Sequence, residues 1–214
     1  MSPETVTIER VYARLKADVI GGRYLPRSEI VIATIAREYG VSIAPVRDSA
    51  QRLVGERLLV PLRRGGFAIP DLTEEGLHDL LFWHGHLIRN AVKLKRKGSC
   101  LGQDISHDFE KASSDALART AASLFHELAI RAQNSEIAPA VLAASDRLHA
   151  VRLKEPEHLP GVAQELQAVQ TLATSGRDQD LIQSLWAYHR RRLRRVRQLV
   201  EAAGGTVRPL KLAE

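Results

Sequence analysis

The feature that most restricts this chain is a glycine set between two short helical patterns. Val31–Tyr39 carries apolar residues at helical spacing and stops at Gly40, and Ser42 stands where a third helix can begin. A serine side chain suits the capping of orphan N–H groups, and Pro45 falls in the first turn, where a missing N–H has no helical partner to lose. This third helix is expected to run to about Arg57, with Val46, Ala50, Leu53 and Val54 on its buried face. Upstream, Ile8, Val11, Tyr12, Leu15, Val19 and Ile20 give Thr7–Gly21 the same periodicity, which Gly21-Gly22 ends. Downstream, Leu58–Leu62 and Phe67–Ile69 are apolar runs around the basic turn Arg63-Arg64-Gly65-Gly66, the pattern of a β-hairpin. Three helices with a glycine turn between the second and third, followed by a basic hairpin, predict a winged helix-turn-helix over residues 1–70.

The run Tyr39-Gly40-Val41-Ser42-Ile43-Ala44-Pro45-Val46-Arg47-Asp48-Ser49-Ala50 resembles the G-V-S-x-x-P-V-R-[ED]-A signature of the GntR family of bacterial transcription regulators, with Ser49 standing between the acidic residue and Ala50. Ile20-x-Gly22-Arg23, Ile35-Ala36 and Arg64-Gly65-Gly66-Phe67 fall in matching order, so the resemblance covers residues 8–70. It implies a homodimeric, sequence-specific regulator, a repressor rather than an activator, whose partner is double-stranded DNA. The third helix would present its N-terminal end to the major groove. On that reading Ser42 and the early backbone N–H groups hold a phosphate, and Arg47 reaches a phosphate or a guanine edge. Arg52 lies nearer the backbone, and Arg63 and Arg64 enter a minor groove or pair with phosphates, with Gly65 and Gly66 allowing close approach. The alternative is that these arginines are solvated surface charges. Two positions depart from the family: Ile43 stands where arginine is common, and Ala44 where threonine is. Neither side chain hydrogen-bonds a base, although either can touch a thymine methyl. Arg47, the wing and DNA shape are therefore expected to carry more of the recognition.

After Pro70 the pattern is helical throughout. Asp71 and Glu74 form an expected capping pair for a helix to about Leu94, and Lys95–Gln103 reads as a loop. Further helices are expected over 104–117, 119–133, 135–151, 160–175 and 179–202, with breaks at Asn134, Glu155–Gly161 and Ser175-Gly176. Residues 71–214 thus form an all-α antiparallel bundle, and the whole chain is mainly α. Asp71-Leu72-Thr73-Glu74-Glu75, Leu124-Phe125-His126-Glu127-Leu128, Gln133-Asn134, Gly176 and His189 resemble, in order, the FadR-type effector domain. That resemblance implies an effector-binding and dimerisation domain with a cavity for a small molecule, often a carboxylic acid, faced by His84, His126 and His189. Many such domains hold a divalent metal through one Asp and three His, a donor set suited to Zn²⁺. Here His126 and His189 stand at two of those positions, and Ala122 and Leu166 at the other two. A divalent metal such as Zn on His126 and His189 therefore competes with a reading in which both are hydrogen-bonded pocket or core residues. His84 stands where relatives carry a cavity-facing arginine. It could hydrogen-bond an effector or change charge near neutral pH, or be a buried, satisfied histidine. His86, two residues on, cannot share its direction, and His78, His107, His149 and His158 are expected at the surface.

Composition narrows the classes. Among 214 residues, 31 Lys and Arg against 25 Asp and Glu leave a net charge of +6, which favours polyanionic partners. The densest positive run, His189–Arg197, could make extra DNA contacts, lie on a membrane surface or be a solvated face. The stripe of Leu185, Leu193, Val196, Leu199 and Val200 favours an amphipathic bundle helix whose arginines face water or acidic neighbours. One cysteine, Cys100, excludes an internal disulfide and fits a reducing cytoplasm. No apolar run reaches the length of a membrane span, and the first residues lack a signal-peptide pattern, so a cytoplasmic protein without a membrane partner is expected. Two other functions remain open: a non-specific architectural nucleic-acid binder, and a helical enzyme using the histidine pocket. The second lacks a nucleophile–base arrangement, a full metal constellation and a phosphate loop, so no catalytic residue is assigned.

Overall fold

The structure is a computed structural model that describes residues 3–95, 109 and 112–207. It divides into two compact units, Met1–Leu72 and Thr73–Glu214. The first holds α1 (Pro3–Ile20), β1 (Glu29–Ile30), α2 (Ile32–Tyr39), α3 (Ile43–Gly55), β2 (Val60–Pro61) and β3 (Phe67–Ala68). Val11, Leu15 and Val19 recur at four-residue spacing on α1 and bury against Ile35 and Ala36 of α2, Val46, Ala50 and Leu53 of α3, and Phe67 of the sheet. Gly40 is left-handed (φ 66°), and the Gly40 and Val41 N–H groups return to the Arg37 and Ala36 carbonyls. This is the Schellman arrangement, which closes the last turn of α2 and leaves three residues to reach α3. The β-hairpin expected between Leu58 and Ile69 forms, and a third strand, β1, pairs antiparallel with β3 opposite β2. A two-residue strand shows no alternation, so β1 has no sequence signal.

The second unit holds α4 (Glu74–Lys93), α5 (Ser114–Ile130), α6 (Ile137–Arg152), α7 (Glu155–His158), α8 (Val162–Thr174), α9 (Asp178–Leu193) and α10 (Val196–Ala202). Helix α4 packs on α5, α6, α9 and α10, and α8 packs on α5 and α9. Several boundaries differ from the expected ones. Thr73, not Asp71, caps α4, its hydroxyl accepting the Gly76 N–H at 3.0 Å, while Asp71 faces Arg27 at 3.7 Å. Helix α5 runs unbroken through Ala118, where two helices are expected. The stretch read as a break contains α7, since Pro156 sits in its first turn, the place a helix tolerates proline. The last expected helix is two, α9 and α10, with the change at Arg194-Arg195. The expected loop after Lys95, the start of the helix expected at 104, Cys100 and His107 lie outside the described residues. Among the described residues no helix is long and apolar enough to cross a membrane.

Candidate functional site

Helix α3 exposes one face at its N-terminal end. Ser42 is the N-cap residue, extended at φ −69° and ψ 167°, and its hydroxyl makes no capping bond. Ile43, Ala44 and Arg47 follow on the exposed side, Ile43 with 48% of its surface open. Across the helix Ser49 is buried, and its hydroxyl donates to the Pro45 carbonyl at 2.6 Å, so the residue that departs from the signature is satisfied locally. The turn between β2 and β3 carries Arg63 and Arg64 exposed, with the Gly65 N–H returning to the Leu62 carbonyl. Gly65 and Gly66 have φ of 85° and 92°, a region where a side chain would be strained, so both positions require glycine.

The arginines expected to contact DNA divide into two kinds. Arg47, Arg63 and Arg64 are exposed and make no ion pair among the described residues. Arg52 is engaged internally. Its guanidinium stacks 3.6 Å from the Tyr12 ring centroid, donates to Glu9 at 3.0 Å and lies 3.7 Å from Glu56. Lys16 donates to the same Glu56 at 2.7 Å, and the Tyr12 hydroxyl bonds to it as well. This cluster links α1 to α3 beside their buried apolar contact. Arg52, expected near the DNA backbone, has its charge matched by carboxylates within the unit while its side chain stays half exposed.

Two histidines of the second unit, His84 and His189, are buried and hydrogen-bonded, the alternative to a ligand-facing role for them. His84 on α4 and His189 on α9 meet at the centre of the bundle, Nδ1 of the first 2.8 Å from Nε2 of the second. His189 Nδ1 lies 2.7 Å from the Leu185 carbonyl, which can only accept, so that nitrogen carries the proton. Burial, with the Arg192 and Arg152 charges and against the Leu185 hydrogen bond, lowers the His189 pKa to about 3, so the ring is neutral and Nε2 is a lone pair. His84 Nδ1 must then donate to it. Burial and the Arg152 charge also hold His84 well below its ordinary pKa, leaving its Nε2 as an acceptor for the Ser145 hydroxyl at 3.3 Å and Arg152 Nη2 at 3.5 Å. A single direction of donation therefore runs from Arg152 and Ser145 through both rings to Leu185. Gly85 makes the close approach possible, since a Cβ there would lie 2.9 Å from His189 Cγ.

This chain of bonds bears on whether His126 and His189 could hold a metal. Both imidazole lone pairs are occupied, and His126, half-buried on α5, takes no part in these contacts. Among the described residues no group of three His, Cys, Asp or Glu side chains could hold a metal. The donors do not fit a divalent ion on His126 and His189, because His189 is committed to His84. His86 is exposed beside the buried His84 as expected, whereas His149, expected at the surface, is buried and lies 3.4 Å from Asp115.

Sequence reasoning missed the most buried charges. Arg192, inside the arginine run, has no exposed surface. Its Nε and Nη2 bind the two oxygens of Glu155 at 2.9 and 2.7 Å, and Nη1 reaches Glu165 at 2.8 Å and the Tyr188 carbonyl at 2.9 Å. Tyr188, His189 and Arg192 share a helical face with Leu185, a signal present in the sequence but hidden by the neighbouring surface arginines.

A glycine-closed α2–α3 pair with a β2–β3 wing makes the first unit a winged helix-turn-helix, followed by a helical unit. Residues 7–69, nearly all of this first unit, match the family described as bacterial regulatory proteins, gntR family. A curated relative, the HTH-type transcriptional repressor GlaR of Escherichia coli (strain K12), is 28% identical over 76 residues, 36% of this chain and 34% of that protein. The match thus spans about a third of the relative's length. The fold of nearly the whole chain recurs in E. coli McbR/YncC (TM-score 0.67, 15% identity, 89% of this chain and 97% of that one). A putative transcriptional regulator GntR from Rhodococcus sp. RHA1 gives the same TM-score and coverage at 14% identity.

Proposed function

We propose that this chain is a gntR-family transcription regulator, a repressor, that binds a short pseudo-palindromic DNA site as a homodimer and responds to a small carboxylate effector in a FadR-type helical unit. The observation that carries the DNA-binding part is the contrast between Arg52, whose charge is matched within the fold, and Arg47, Arg63 and Arg64, whose exposed charges are not. A helix N-terminus with an uncommitted Ser42 hydroxyl beside Arg47 offers a phosphate both backbone N–H groups and a hydroxyl. Ile43 and Ala44 add apolar contact suited to a thymine methyl. An enzyme using the imidazole pair would need a ring nitrogen able to take a proton from substrate, and both acceptor nitrogens are held by His84 and Arg152.

Selection of bound sequences from random duplex DNA tests the reading. The intact chain is expected to enrich a two-fold motif, and Arg47→Ala to weaken binding by about 1–3 kcal/mol and relax the base preference opposite it. An architectural binder would enrich nothing and would lose to competitor DNA with a steep salt dependence. No motif, or the same motif in Arg47→Ala, would sink the proposal.

A further inference from the structure

Arg152 is a buried cation that no carboxylate pairs with among the described residues. It is only 3% exposed, at the C-terminal end of α6, and makes no ion pair among the described residues. Its Nη2 reaches the neutral His84 Nε2 at 3.5 Å, its guanidinium lies 5.3 Å from the Phe125 ring centroid, and its Nη1 has no hydrogen-bond partner. A buried cation left this way is costly, and a native fold ordinarily pairs it.

The neighbouring carboxylates are taken. Glu155 and Glu165 bind Arg192, and Arg191 lies 3.5 Å from Glu165, so that group of four is balanced. Asp115 serves Arg119 and His149. A second unpartnered polar group borders the same aromatic ring: the Tyr188 hydroxyl is buried without a hydrogen bond, and the Tyr188 ring packs edge-on against Phe125, centroids 5.1 Å apart. Two unsatisfied donors thus flank one apolar ring, an arrangement that suits an anion with a hydrocarbon portion.

We propose that Arg152 is the anchor of a metal-independent site for a small monocarboxylate, with the His84–His189 pair as its positioning device. The accepting His84 Nε2 holds one edge of the guanidinium and leaves Nη1 to bind the carboxylate, the fork geometry that makes arginine selective for such groups. One guanidinium without a carboxylate matches a ligand with a single negative charge. This rests on the reading of the helical unit as an effector domain, but concerns binding alone.

The test uses the full chain, its thermal unfolding midpoint and calorimetric titration, with sodium propionate as probe. Propionamide, the neutral isostere, and sodium chloride at equal ionic strength are the controls. Propionate is expected to raise the midpoint in a saturable manner and neither control to do so. Arg152→Met is expected to fold, because removing an unpaired buried charge relieves a cost, and to lose propionate affinity at least about tenfold. Arg152→Lys keeps the charge without the fork and is expected to fall between the two. Equal midpoint shifts with propionate and propionamide would overturn the proposal on the unaltered chain alone, whatever the variants do. Retained propionate binding in Arg152→Met would overturn it as well. DNA affinity with and without propionate is read separately: saturable binding with unchanged DNA affinity upholds the site and removes the regulatory role.

Discussion

Replacing Glu155 with alanine is expected to lower the unfolding free energy by about 3–5 kcal/mol, the effect of stranding a fully buried charge. Arg192 has no exposed surface and Glu155 is 2% exposed, so neither can be rehydrated without opening the bundle. The two oxygens of Glu155 take two of the three guanidinium nitrogens, and the guanidinium carbon sits 3.3 Å from the Tyr188 ring centroid. Loss of the carboxylate therefore leaves two donors and part of a charge in an apolar, aromatic setting. Glu165 lies nearer the surface, where water can replace it, so Glu165→Ala is expected to cost about 1–2 kcal/mol. Removing both members, as Glu155→Leu with Arg192→Met, is expected to recover part of the single-mutant loss, because apolar side chains pack where paired charges did. Urea unfolding of the unaltered chain and the three variants measures this. An Glu155→Ala midpoint indistinguishable from that of Glu165→Ala would show that the pair is not buried as the structure has it.

Such a pair is where sequence reading stops, for a physical reason. The helix-turn-helix is legible because its determinants are local: Gly40 must be left-handed, Ser42 and Pro45 mark a helix start, and the wing turn needs Gly65 and Gly66. Each acts within a few residues. The helical unit is legible as helices, but its charged core is set by distance in space. His84 and His189 are 105 positions apart, and Arg192 and Glu155 are 37 apart. Arg192 stands in a run with Arg190, Arg194, Arg195 and Arg197, all exposed, and only its place on the Leu185–Tyr188 face distinguishes it. The metal reading rests on His126 and His189 matching a pattern. What speaks against it is the bond between His189 and His84, which no spacing records. Arg52 shows the same limit within the well-read unit: its spacing on α3 does not record that Glu9 and Tyr12 on α1 are its partners.

Stability is expected to fall steeply as pH drops below about 6.5, with the two buried imidazoles as the cause. In the unfolded chain His84 and His189 protonate near the ordinary histidine value, whereas in the fold burial and nearby arginines depress both, His189 to about 3. A depressed folded pKa contributes stability that is present above the unfolded pKa and is lost as pH falls toward the folded one. Between these limits the unfolded state holds up to two more protons than the folded state, a slope of about 2.7 kcal/mol per pH unit at its steepest. His149, also lowered by burial against the pull of Asp115, adds in the same direction. Protonating either member of the pair breaks the line of donation: a charged His84 would present Nε2–H to Arg152, and a charged His189 would meet His84 Nδ1–H head-on. The check is the urea midpoint at pH 7, 6, 5 and 4.5 for the unaltered chain and for His84→Gln with His189→Gln. The double variant is expected to start less stable and to lose less over that range. Parallel pH profiles for the two proteins would mean that the imidazoles titrate normally and that water reaches the centre of the bundle.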